Sequence, residues 1–122
     1  MSGYTENFRV ESGTVCVRLS GHFPNELLRE AKNLFQPLIE ACSAQECKKA
    51  LIDATDLEAD LGTMGLFRAG QDAAALTFLG LRVAIVAKEA MVDRFFEDVA
   101  ANRGGNIRVF TDMDAARDWL RE

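Results

Sequence analysis

Proline, histidine and tryptophan are scarce in this chain, with two, one and one among 122 residues, and each scarcity excludes something. Two prolines without glycine or serine tracts rule out a collagen-like repeat and a low-complexity linker. The lone histidine, His22, has no second histidine to share a metal with, and no nucleophile motif accompanies it for a triad. It reads as a loop or capping residue ahead of Phe23 and Pro24. The three cysteines, Cys16, Cys42 and Cys47, are odd in number and form no Cys-x-x-Cys pair, so a disulfide scaffold is excluded and reduced thiols in a cytoplasmic protein are expected. Basic residues are outnumbered, 14 against 19 acidic, for a net charge of −5. No basic stripe exists to neutralise phosphates, which argues against nucleic acid and anionic membrane surfaces as partners. No uncharged apolar run reaches the roughly 18 residues of a spanning helix. The first six residues have neither the basic region nor the apolar core of a signal peptide.

What is present is 48% hydrophobic and 27% charged, the balance of one globular domain over residues 1–122. Phe8 and Val10, then Val15, Val17 and Leu19, alternate at period two around Ser12 and Gly13, predicting a hairpin. From Pro24, suited to a first turn, apolar residues recur at three and four through Cys42, predicting an amphipathic helix that Pro37 kinks or splits. A short strand over 50–53 follows. The nearly unbroken apolar run 81–87 predicts a central strand covered on both faces. Helices are expected over 63–79 and over 90–103, the second stopped by Gly104 and Gly105. A last strand over 107–110 leads into Thr111 and Asp114, spaced as a capping box for a helix holding Ala116, Trp119 and Leu120. The order is β-β-α-β-α-β-α-β-α, an α/β fold with a mostly parallel sheet and an antiparallel first strand.

Asp53 ends the third predicted strand, and Asp56, Glu58 and Asp60 follow just past it, where open α/β sheets gather ligands. An EF-hand counted from Asp56 would need glycine and glutamate where Leu61 and Phe67 stand, so that calcium site fails. Asp53 as a phosphate-accepting aspartate lacks the paired acids and the lysine of a receiver domain. The acids are expected to solvate a loop and to favour the positive end of the next helix. An enzymatic reading would enlist Asp53, Asp56 and Asp60 with a divalent ion. Thr63 is placed to cap that helix, and a phosphate on it would add about two negative charges at the helix start.

Helix 63–79 has an unusually wide apolar surface. Leu66, Ala69, Gly70, Ala73 and Leu76 make one stripe; Met64, Phe67, Ala74 and Phe78, with Gln71 among them, make a second beside it. The small residues of the first suit close packing on the sheet. The second is left for a helix of the same domain, a protein partner, another copy of the chain, or a small lipophilic ligand.

The element order, the acidic stretch running into a helix start, and the ending from Asn102 to Phe110 followed by Ala116, Trp119 and Leu120 resemble the STAS superfamily, the sulfate transporter and anti-sigma factor antagonist domains, and most of all its standalone SpoIIAA-like members. The resemblance implies a SpoIIAA-like β-α superhelix without catalytic centre or cofactor, a regulatory module of the cytoplasm that contacts partners around its second helix. In the anti-sigma antagonists, a phosphorylated serine follows an aspartate at the start of that helix. Asp60 matches the aspartate, the serine position falls on Gly62, and a one-residue slip puts Thr63 there, a departure from the pattern.

Overall fold

The structure, a computed structural model, describes residues 3–59, 62–89 and 106–122. The elements are β1 (Thr5–Glu11), β2 (Thr14–His22), α1 (Glu26–Glu30), α2 (Gln36–Ala44), β3 (Lys49–Glu58), α3 (Gly62–Phe78), β4 (Arg82–Val86), β5 (Ile107–Phe110) and α4 (Met113–Arg121). The strands form one sheet in the order β1-β2-β3-β4-β5. β1 runs antiparallel to β2, and every other pair is parallel. The hairpin closes tightly because Ser12 and Gly13 both hold positive φ, 48° and 79°, the combination that a two-residue turn of matching twist requires.

Alternation along the inner strands divides the core between two faces. Val15, Val17, Ala50, Ile52, Val83 and Ile85 pack with Leu38 and Cys42 of α2 and with Ala73 and Leu76 of α3. Cys16, Leu51, Ala84 and Val86 point the other way, against Ala116, Trp119 and Leu120 of α4. Strands sandwiched in this way read as continuous apolar runs. The middle strand is β3, with β4 between it and β5, so the run 81–87 is interior without being central.

Several local expectations need correction. The predicted helix from Pro24 is two helices, α1 and α2, and the break precedes Pro37, which stands in the first turn of α2. Ala31 is already extended, and the Asn33 side chain accepts from the Phe35 amide at 2.8 Å, a local bond that competes with helix. Pro24 lies just outside α1, whose cap position is Asn25. The cap of α4 is Asp112, whose carboxylate accepts from the Asp114 amide at 3.2 Å, and not Thr111. His22 is the last residue of β2, paired with Glu58, instead of a helix cap. The three cysteines are free and buried. The helix expected over 90–103 and its stop at Gly104 and Gly105 lie outside the described residues.

Candidate functional site: the outer face of the third helix and the pocket beneath it

The acidic stretch is not a loop. β3 continues through Glu58, so Asp53, Asp56 and Glu58 all belong to the strand, and Asp60 lies outside the described residues. The extension is possible because β2 is equally long and pairs with it across a register shift: Arg18 faces Asp53 and Ser20 faces Asp56. The extra β3 residue is a bulge. Asp53 holds it, its Oδ1 accepting from the Thr55 amide at 3.0 Å and the Thr55 hydroxyl at 2.6 Å. Asp56 pairs with the Arg18 guanidinium, whose hydrogen bond and charge hold this carboxyl below its ordinary range and push Arg18 up. Glu58 is exposed beside His22. Asp53 and Asp56 are thus each committed to a local partner, and among the described residues no three metal-ligating side chains converge.

The two stripes of α3 separate as their residue sizes dictate. Ala69, Ala73 and Leu76 are buried on the sheet, together with Gly65 and Gly70. On the opposite side Met64 is 79% exposed, Phe67 43% and Phe78 92%, and Gln71 is exposed between them while Ala74 is half-buried. Positions 64, 67, 71, 74 and 78 follow the helical repeat along one line roughly 21 Å long. Leu79, 46% exposed, prolongs it past the helix end. Thr63 is the second residue of α3, inside the first turn and two positions past the cap, because the helix begins at Gly62.

The charged residues of α3 leave this line free. Arg68 and Asp72 turn toward the link between α1 and α2 and latch it. Asp72 Oδ2 accepts from the Leu34 amide at 2.9 Å and lies 3.3 Å from Arg68 Nε, while the Asp72 carbonyl accepts from Asn33 Nδ2 at 3.2 Å. The Arg68 guanidinium also donates to the Ala31 carbonyl. Both side chains are largely shielded, so each of these bonds counts for more than a surface contact.

Beneath the latched link lies a feature that sequence reasoning missed, an apolar pocket of about 160 Å³. Val17, Leu19 and Ile52 of the sheet, Leu34, Phe35 and Leu38 of the link and α2, and Ala69 of α3 enclose it, with Tyr4 and Phe23 at one end. The inner stripe of α3 contributes to it and the outer one does not. Gly21 makes this closure possible: at φ 89°, it lets residues 3 and 4 cross so closely that a methyl there would collide with the Gly3 carbonyl. Tyr4 then meets Phe23 edge to face at 5.5 Å. Its hydroxyl donates to Glu6 Oε2 at 2.7 Å, and burial, helped by Glu6, pushes the phenol well above its ordinary value, so it stays a donor. The apolar repeat runs on through Ala31, Leu34 and Phe35 and gave no advance signal of it.

No protein-family model and no curated protein matches the sequence. Solved structures do. An anti-sigma factor antagonist from Mycobacterium paratuberculosis superposes with a TM-score of 0.65 at 18% identity, over 98% of this chain and 96% of that one. A protein with a SpoIIAA-like fold from Shewanella loihica superposes with a TM-score of 0.57 at 21% identity, over 98% of this chain and 95% of that one. Along nearly its whole length this chain carries the SpoIIAA-like fold, the α/β architecture that its resemblance to the STAS domains implied.

Proposed function

We propose that this protein is a non-enzymatic regulatory interaction module of the cytoplasm, binding a protein partner or a second copy of itself through the outer face of α3. The observation that carries the reading is that Met64, Phe67 and Phe78 project from one helix face, followed by Leu79. Water-exposed apolar side chains in one contiguous line are uncommon on soluble monomers unless something docks there. Central aromatic anchors supply most of the energy of such contacts. The likeness to an anti-sigma factor antagonist supports a role in protein recognition. Charged replacements at the two most informative positions, Phe67→Glu and Phe78→Glu, test it. Light scattering and pull-down are expected to show association weakened by at least about tenfold, roughly the loss of one anchor, with the far-ultraviolet spectrum and Tm retained. Association that survives both changes refutes the assignment to α3.

A second reading, a carrier of a small lipophilic molecule, is favoured by the pocket. About 160 Å³ lined almost wholly by apolar side chains matches the size of cavities that stay dry and accept a single aromatic ring. On this reading the ligand sits on the inner side of α3, and the outer face is left to macromolecules.

A further inference from the structure

The pocket's composition says more than that its occupant is greasy. Among the described side chains that line it, Glu6 alone is charged and Tyr4 alone adds another polar group. Both lie where the pocket adjoins a wider groove along α1 and the link, since Tyr4, Glu6, Phe23, Leu34 and Pro37 border both spaces. β1 alternation is what brings Glu6 there: Glu6 faces Leu19 and Phe8 faces Val17 on the same side of the hairpin. Tyr4 occupies Oε2 of Glu6, and no donor among the described residues occupies Oε1. The outer groove adds Lys32 and Glu40, charges of opposite sign that offset each other, so the carboxylate at the mouth sets the local preference.

We propose that the pocket takes a compact arylalkylamine, one ring with a short chain ending in an ammonium group, its ring among Phe35, Leu38 and Ala69 and its ammonium at Glu6. A volume of about 160 Å³ limits the body to about one ring. An apolar wall cannot solvate a charge, so the charged end must stay at the mouth. There a carboxylate and the rings of Tyr4 and Phe23 attract a cation and repel a fatty or aromatic acid. The inference rests on the carrier reading and adds to it the sign of the ligand's charge.

Three probes of similar length separate the two: phenethylamine, 2-phenylethanol and 3-phenylpropionate, titrated into the full chain and followed by ligand-observed NMR. Saturable binding of the amine is expected to be about five- to tenfold tighter than that of the acid at low salt, the range a partly exposed carboxylate supports. High salt should narrow the gap. Glu6→Gln should bring the ratio close to one. Ala69→Leu, which fills the pocket, should abolish binding of all three, with Ala54→Val as the substitute should the leucine variant fail to fold. Equal affinities in the parent chain, or a preference untouched by Glu6→Gln, overturn the inference while the carrier reading stands. If none of the probes binds, or if binding persists when the pocket is filled, both fall.

Discussion

Arg18 and Asp56 pair across the edge of a bulge, and their effect on pH response has a definite sign. The hydrogen bond from Arg18, with its charge, lowers the Asp56 pKa in the folded chain. A depressed carboxylate contributes stability above its unfolded pKa and loses it as pH falls through the folded one. The pair therefore acts at neutral pH and fades on the acid side. Both side chains are about half exposed, so the contribution is small and salt-sensitive. Following the Asp56 carboxyl by NMR in Arg18→Met should show its titration moving up toward the ordinary aspartate value, and with it the start of acid unfolding moving slightly upward. An Asp56 midpoint that does not move would mean that the pairing does not persist in solution. At the same scale, burial raises the thiols of Cys16 and Cys42, keeping them protonated and inert, in keeping with their packing role.

Among elements, α3 states most clearly which residues hold the fold and which are spare. Leu76 is fully buried in the core beneath α3, whereas Phe78, two positions later, is almost wholly in solvent. Leu76→Ala is expected to cost about 2–5 kcal/mol in urea unfolding, the range for a buried leucine. Phe78→Ala should stay within about 0.5 kcal/mol, as for surface positions. Similar losses at both would mean that the outer face is covered in the folded monomer. This division was legible in the sequence because small residues, Ala69, Gly70 and Ala73, mark the side that must approach a sheet, and period 3.6 assigns Phe67 and Phe78 to the other. The length of β3 was not legible: a bulge breaks the alternation after Ile52, and the polar residues that follow imitate a loop although backbone pairing with β2 keeps them in a strand. The pocket was hidden for a related reason. It depends on Asp72 and Arg68 bonding to Ala31, Asn33 and Leu34, contacts about 37 to 39 residues apart in sequence that no periodicity reports.

At the scale of the whole molecule, two cores share one sheet. β3 and β4 contribute alternate residues to both, Ile52 and Ile85 toward α2 and α3, Leu51 and Ala84 toward α4. α4 is further fastened to β4: Arg82 donates to the Trp119 carbonyl at 2.7 Å, and its guanidinium lies 3.8 Å over the indole. Neither layer can leave without stripping support from the strands that anchor the other, so a single cooperative transition is expected. The chain carries its own reporters for each side. Trp119, the sole tryptophan, senses the α4 layer, and in a Cys16→Ala background the remaining thiols, Cys42 and Cys47, sense the opposite one. Tryptophan fluorescence and pulsed thiol labelling in urea should give one midpoint, with an m-value of about 1–3 kcal/mol/M common to both. Separate midpoints would show α4 detaching as a unit of its own, and would mean that the Arg82 staple is weaker than the hydrophobic layer it fastens.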